Sequence, residues 1–192
     1  MTMEIELKAH VRDYEALRLI LIEKSEYRMI FEKEDQYWFL EKTPDFPPFS
    51  LRMRRETRGL PDGTKETLTF ATYKIKQVKD GIEINDEREF EIRSSSGPGE
   101  AEFEELLRRL RLKPGINKRK KGWSFLWEDI TAELTEVEGL GWFIELELLA
   151  DNNREDTVAL GREKLLNFLD KIGVERTAIE SRFYSEMLSA KL

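Results

Sequence analysis

The segment Met3-Glu4-Ile5-Glu6-Leu7-Lys8 alternates apolar and charged residues at every position. Successive side chains of an extended strand point to opposite faces, so the apolar residues share one face and Glu4, Glu6 and Lys8 share the other. Such regular alternation predicts a half-buried β-strand whose apolar face packs away from water. One strand of this kind is usually an ordinary solvated sheet face, and its meaning depends on whether the pattern returns.

The pattern returns in five later segments of the chain. Each contributes a pair of like charges spaced two residues apart, and the pairs are Arg52/Arg54, Lys74/Lys76, Glu89/Glu91, Lys118/Lys120 and Glu145/Glu147. Most of these pairs stand opposite an apolar face. If helices cover the apolar faces, a closed barrel of about eight strands places the charged faces around a lumen that can hold a small ligand.

Hydrophobic periodicity and turn residues predict the remaining elements. The predicted helices span 12–24, 100–112, 154–171 and 178–188, and the predicted strands span 3–8, 35–40, 49–54, 67–78, 82–92, 116–121, 125–137 and 142–148. Hairpin signals such as Asp80-Gly81 favour antiparallel connections. The predicted fold class is therefore α+β, with a closed eight-stranded antiparallel β-barrel flanked by about four helices in a single domain over residues 1–192.

Composition narrows the function classes. The chain has 192 residues, no cysteine and a net charge of -7, which excludes disulfides and thiolate metal sites and argues against a general binder of nucleic acid or membrane surfaces. No apolar run is long enough to cross a membrane, and no signal peptide is recognisable, so we expect a cytoplasmic protein. The content of charged residues, 37%, is typical of a thermophile.

The charged faces suggest a chemistry before any family is considered. Paired arginines and lysines suit a polyanion with several phosphate groups, because the arginine fork matches phosphate oxygens two at a time. Paired carboxylates suit a hard divalent cation such as Mg²⁺ or Mn²⁺. The alternative is internal salt bridging without a ligand, which is disfavoured because so many buried charges are costly for stability alone.

In this order and spacing the motifs resemble those of the CYTH superfamily, also called triphosphate tunnel metalloenzymes, over nearly the whole chain. The matching positions are Glu4, Glu6 and Lys8 for E-x-E-x-K, 35–38 for D-x-Y-[FW], Arg52 and Arg54 for R-x-R, Lys74 and Lys76 for K-x-K, Glu89 and Glu91 for E-x-E, Lys118 and Lys120 for the basic strand, and 137–147 for V-x-G-L-G-x-F-x-E-x-E. One departure is Thr135, where the family usually carries Asp. Glu133, on the same predicted face, is the candidate replacement.

The resemblance implies an eight-stranded tunnel in which a metal assists attack on a triphosphate. The implied ligands of Mg²⁺ or Mn²⁺ are Glu4, Glu6, Glu145 and Glu147, together with Glu133. The implied phosphate-binding residues are Lys8, Arg52, Arg54, Lys74, Lys76, Lys118 and Lys120, with Glu89 and Glu91 ordering the basic side chains or sharing the metal. Glu4, Glu6 and Lys8 form the implied catalytic set.

Three functions compete at this stage. The first is a metal-dependent hydrolase of inorganic triphosphate, thiamine triphosphate or a nucleoside triphosphate. The second is a class IV adenylate cyclase that converts ATP to cyclic AMP and pyrophosphate, and the third is a polyphosphate- or nucleotide-binding module without turnover, which the Thr135 departure keeps open. The expected partners are a small-molecule triphosphate and, without a specific sequence feature, a second copy in a homodimer.

Overall fold

The computed structural model describes residues 3–40, 49–79, 82–94, 97–152 and 154–191. The strands are β1 Met3–His10, β2 Glu26–Leu40, β3 Phe49–Gly59, β4 Lys65–Lys79, β5 Ile82–Glu91, β6 Arg93–Ser94, β7 Gly97–Pro98, β8 Lys113–Trp127, β9 Ile130–Val137 and β10 Gly141–Ala150. The α-helices are α1 Tyr14–Lys24, α2 Glu100–Arg109, α3 Glu155–Lys171 and α4 Tyr184–Ser189, and a short 3-10 helix spans Arg176–Ala178.

Eight of the strands close into an antiparallel barrel, as the sequence predicts. Their order around the barrel is β1-β10-β9-β8-β2-β3-β4-β5, and β5 pairs with β1 to complete the circle. The short strands β6 and β7 pair only with each other. Closure removes the exposed sheet edges and gives every long strand an inner and an outer face.

The outer faces pack against the helices to form the hydrophobic core. Ile5 and Leu7 of β1 are fully buried in a cluster that also contains Leu21 of α1 and Phe168 of α3. Helix α3 approaches β1 so closely that a Cβ at Gly161 would lie 2.5 Å from Ile5 Cδ1. A larger residue at this position would require the side chains of Ile5 and Leu148 to shift.

A second apolar cluster joins α2 to the outer faces of β2, β3 and β4. Trp38, Leu51 and Ala71 contribute the strand side, and Leu107 contributes the helix side. With these clusters outside the barrel, the alternate residues of the same strands must face inward. Among the described residues, no helix is both long and apolar enough to cross a membrane.

Several predicted boundaries were wrong. The predicted strand 35–40 is the second half of β2, which begins at Glu26. The segment 125–137 is two strands joined at Glu128, whose φ of +54° marks a turn. The last predicted helix, 178–188, is reduced to α4, because residues before Tyr184 run extended and bridge to β1, where Ile179 pairs with Ala9.

Candidate functional site

The inward-facing side chains enclose a polar cavity of about 100 Å³ inside the barrel. Among the described side chains, seven carboxylates line it: Glu4, Glu6, Glu83, Glu87, Glu133, Glu145 and Glu147. Five described cations line it as well: Lys33, Arg52, Arg54, Lys118 and Lys120. We call the carboxylates of β1, β5, β9 and β10 the acidic wall and the cations of β2, β3 and β8 the basic wall. So many converging charges favour a small, highly charged ligand over an apolar one.

The acidic wall places carboxylates directly opposite one another across strand pairs. Glu6 of β1 is the register partner of Glu147 of β10 and of Glu83 of β5, and Glu145 of β10 is the partner of Glu133 of β9. Directly opposite side chains lie about 5 Å apart at Cβ, where like charges repel. The repulsion is eased where a cation or a divalent metal lies between the carboxylates.

The basic wall is ordered by a carboxylate of its own, Asp35 of β2. Arg54 donates two hydrogen bonds to the Asp35 carboxylate, at 2.7 and 3.0 Å, and Lys118 Nζ lies 2.9 Å from Asp35 Oδ2. Burial alone would raise the pKa of Asp35, but the charges of Arg54 and Lys118 outweigh it and hold the pKa well below its usual range. Asp35 therefore stays ionised and fixes both cations.

Arg52 occupies the same wall next to β4 and β5. Its Nη2 donates to Thr72 Oγ1 at 3.0 Å and to the carboxylates of Glu87 and Glu89 at 3.2 Å each. The Thr72 hydroxyl in turn donates to Glu89 at 2.8 Å. Glu89 thus orients a basic side chain, whereas Glu91 is exposed at the end of β5, where it accepts a hydrogen bond from Arg93.

A chain of hydrogen bonds links the two walls. Lys120 Nζ donates to Glu145 at 2.6 Å and to Glu133 at 3.1 Å, and Lys33 Nζ donates to Glu133 at 2.5 Å. The hydroxyl of Tyr184, from α4, donates to the other oxygen of Glu145 at 2.7 Å. Burial opposes the charge of Lys120, yet Glu145 and Glu133 raise its pKa above the ordinary lysine value, so it remains an ammonium.

The structure brings most of the predicted site residues together. Nine of them line the cavity: Glu4, Glu6, Arg52, Arg54, Lys118, Lys120, Glu133, Glu145 and Glu147. Lys8 is buried, forms an ion pair with Glu83 and is not among the lining residues. Lys74 and Lys76 belong to β4, paired with Glu87 and Asn85, and their side chains lie outside the described part of the structure.

Several lining residues were missed by the sequence prediction. Lys33 and Tyr37 share a face of β2 with Asp35, so extending the period-two pattern upstream would have found Lys33. Glu83 and Glu87 share the same face of β5 and would have emerged in the same way. Tyr184 and its neighbours in the C-terminal segment carry no local signal, because only the tertiary fold brings that segment to the barrel.

The acidic wall has the donor chemistry that a hard divalent cation requires. Glu6 and Glu147 are direct cross-strand partners that both line the cavity, and Glu4 follows on the same face of β1. Within the described ranges, no group of three or more carboxylates or imidazoles is drawn together as a ready-made metal cage. Mg²⁺ usually takes one or two protein carboxylates together with substrate phosphates, so Glu4, Glu6 and Glu147 fit such a shared site.

Comparison with known proteins places the chain in a family. A relative from Methanocaldococcus jannaschii, named "Putative adenylate cyclase MJ0240", is 26% identical over 96% of this chain and 98% of its own length. The structure of the PH1819 protein from Pyrococcus horikoshii OT3 matches with a TM-score of 0.76 and 27% identity, over 98% of this chain and 99% of that chain. A Hippeastrum protein described as having a dominant triphosphatase activity has the same fold, with a TM-score of 0.60 and 17% identity over 100% and 95% of the two chains. The family model of the CYTH domain matches residues 2–184, and the chain therefore belongs to the CYTH family.

Proposed function

We propose that the protein is a divalent-metal-dependent hydrolase of triphosphate-containing substrates. The observation that carries the proposal is the division of one cavity inside the barrel into an acidic wall and a basic wall. A triphosphate has several negative charges in a row, and it can meet both walls at once only if a divalent cation lies between its oxygens and the carboxylates.

The basic wall would bind and orient the phosphate chain. Arg52 and Arg54 present planar forks that match phosphate oxygens, while Lys118 and Lys120 supply compact positive charge. Because Asp35 already fixes Arg54 and Lys118, little side-chain freedom is lost when substrate binds. Preorganised cations of this kind stabilise the charge that develops in phosphoryl transfer.

The acidic wall would hold the metal through Glu4, Glu6 and Glu147. When bound, Mg²⁺ or Mn²⁺ would supply charge neutralisation and activation of water for attack on phosphorus. We propose a different role for Lys8 than direct contact with phosphate, since it is buried and paired with Glu83. It would keep the Glu83 carboxylate oriented within the acidic wall.

A second candidate is adenylate cyclase activity, favoured by the name of the Methanocaldococcus jannaschii relative, which aligns over 96% of this chain. The same cavity could bind ATP. The position of the phosphate chain along the barrel would then decide which phosphorus atom is attacked. Hydrolysis and cyclisation yield different products, so one assay separates them.

The test is a product assay with Mg²⁺ or Mn²⁺ and, separately, inorganic triphosphate, thiamine triphosphate and ATP. We expect release of orthophosphate, reduced about 100-fold or more in a Glu4→Ala/Glu6→Ala variant, because the loss of metal ligands removes electrostatic stabilisation of the transition state. The matched control is Glu32→Ala/Glu34→Ala, which removes two exposed carboxylates with the same spacing from the outer face of β2.

The control variant should retain the full rate. Cyclic AMP with pyrophosphate would replace the hydrolase proposal with the cyclase. Binding of triphosphate without either product would reject both activities and leave a binding module.

A further inference from the structure

Glu133 of β9 lies between two lysines that come from neighbouring strands. Its Oε1 accepts a hydrogen bond from Lys33 Nζ at 2.5 Å, and its Oε2 accepts one from Lys120 Nζ at 3.1 Å. Lys33 of β2 and Lys120 of β8 are direct cross-strand partners. Two ammonium groups in that relation repel each other, so the carboxylate between them fixes their positions.

The two lysines remain able to bind a ligand. Both line the cavity, and an ammonium group has three N–H donors. Among the described residues, Lys33 directs a hydrogen bond to Glu133 and otherwise lies 4.3 Å from the ring centroid of Phe31, which attracts the charge without consuming a donor. The pair therefore presents donors and positive charge to whatever occupies the cavity.

Glu133 itself is poorly placed to ligate a metal ion. Both of its oxygens already accept hydrogen bonds from ammonium groups, and a divalent cation bound to either oxygen would lie within a few ångströms of two positive charges. The charges of Lys33 and Lys120 therefore disfavour Glu133 as a metal ligand.

The neighbouring position on β9 does not compensate. Thr135 is fully buried, and its hydroxyl donates to the backbone oxygen of Lys121 at 3.4 Å. Its register partners on either side are Gly122 and Phe143, which bring no charge to this level of the barrel. Neither of the two β9 positions considered from the sequence, Glu133 and Thr135, therefore supplies a metal ligand.

We propose that Glu133 is a positioning residue that holds Lys33 and Lys120 as a two-lysine phosphate subsite, and that it does not bind the metal. This revises the sequence-based expectation for Glu133 and adds Lys33, which none of the sequence motifs includes. The inference rests on the proposed function for its ligand, a triphosphate, but it concerns binding and not turnover.

The experiment measures two affinities separately on the full chain by calorimetry. Mn²⁺ is titrated alone, and inorganic triphosphate is titrated in the presence of EDTA. For Glu133→Gln we expect unchanged Mn²⁺ affinity and about tenfold weaker triphosphate binding, and for Lys33→Met about the same weakening of triphosphate binding, since each variant disturbs charge-assisted hydrogen bonds to phosphate. Glu147→Gln should instead weaken Mn²⁺ binding about tenfold or more.

Two further variants separate binding from structural support. Lys33→Arg keeps the positive charge and should restore most of the triphosphate affinity lost in Lys33→Met, which a purely structural role would not predict. If Glu133→Gln fails to fold, the double variant Glu133→Gln/Lys33→Met removes the carboxylate and one of its lysine partners together, and its Mn²⁺ affinity answers the same question.

Equal losses of Mn²⁺ affinity in Glu133→Gln, or in the double variant, and in Glu147→Gln would overturn the assignment of Glu133. Unchanged triphosphate affinity in folded Lys33→Met, or no rescue by Lys33→Arg, would overturn the subsite. If the variants show these affinity changes but the wild-type protein releases no product, only the hydrolase proposal is rejected.

Discussion

The two walls of the cavity are stabilised in different ways. On the basic wall, carboxylates separate the cations: Asp35 lies between Arg54 and Lys118, and Glu133 of the acidic wall reaches across to Lys33 and Lys120. On the acidic wall, carboxylates face carboxylates across the strand pairs, as Glu6 does with Glu147. The cations are therefore held in place before any ligand binds, whereas the strand register brings carboxylates to directly opposite positions on the acidic wall.

The difference predicts how substitutions in the two walls will act. A carboxylate between two buried cations lowers the electrostatic energy of the folded chain, so its loss should be felt first in stability. Opposed carboxylates such as Glu6 and Glu147 repel each other, and a divalent cation bound between them would lower that repulsion. Substitutions in the two walls should accordingly separate stability from activity.

The largest effect on stability is expected from Asp35→Ala. The side chain of Asp35 is fully buried, and its removal leaves Arg54 and Lys118 without their shared counter-charge. We expect the free energy of unfolding to fall by about 3–5 kcal/mol, the usual cost of breaking a buried ion pair from one side. Urea denaturation followed by tryptophan fluorescence measures the change.

The control for this variant is Glu34→Ala, one residue away on the outer face of β2. Glu34 is exposed and lies 3.6 Å from Arg119, also exposed, so its loss should change stability by less than about 0.5 kcal/mol. Similar losses in Asp35→Ala and Glu34→Ala would mean that the basic wall does not depend on Asp35.

A smaller effect is expected from Tyr184→Phe, which tests how the acidic wall is supported from the C-terminal segment. The variant removes one hydrogen bond to the buried Glu145 carboxylate and keeps the edge-to-face packing of the ring on Phe143. A hydrogen bond to a charged group contributes about 2 kcal/mol, so the free energy of unfolding should fall by that amount. Thermal and urea unfolding both report it.

Tyr14→Phe is the matched control for that variant. The Tyr14 hydroxyl donates at 3.3 Å to Glu15 on the surface, while its ring stacks on Trp142 at 4.0 Å between centroids. The ring contact is retained in the variant, so we expect a change within about 0.5 kcal/mol. An equal loss of stability in both variants would indicate that the buried hydrogen bond to Glu145 contributes no more than the surface bond to Glu15.

The fold could be predicted from the sequence largely because its signal is local. The alternation in β1 separates Ile5 and Leu7 from Glu4 and Glu6, and the same rule applied strand by strand gives a barrel with charged inner faces. The turn between β8 and β9 was missed because its residues, Glu128 and Asp129, are neither glycine nor asparagine. The apolar alternation therefore seemed to continue through the turn. A left-handed residue of that kind is set by strand pairing and not by local preference.

The candidate site could be predicted only in part. Its residues were inferred from motifs, but the ion pairs between them depend on the register of the strands. Lys8 and Glu133 both lie on inward faces, but their ion pairs with Glu83 and Lys33 join strands that are distant in sequence. The place of Tyr184 depends on a segment that runs extended along β1 before α4 begins. Such contacts arise from closure of the barrel and have no local sequence signal.

The smallest effect is expected at the rim, from Glu180→Gln. Hydrogen bonds from Arg182, and one with His10, lower the pKa of Glu180 to about 2. Because this pKa is depressed in the folded state, the stabilisation is complete above about pH 4.5, the unfolded value, and is lost as the pH falls toward 2. The exposed position of Arg182 screens the interaction, so we expect a difference of about 1 kcal/mol at pH 7.

Urea titrations of the wild type and Glu180→Gln at pH 7, 4 and 2.5 test this prediction. The difference between the two proteins should shrink with falling pH and with added salt. The pKa of the buried Asp35 carboxylate is also held well below its usual range, so its contribution to stability should likewise be lost only on acidification. If the difference instead grows on acidification, the ionised Glu180 destabilises the folded protein. The ordering of charges by carboxylates would then be confined to the cavity.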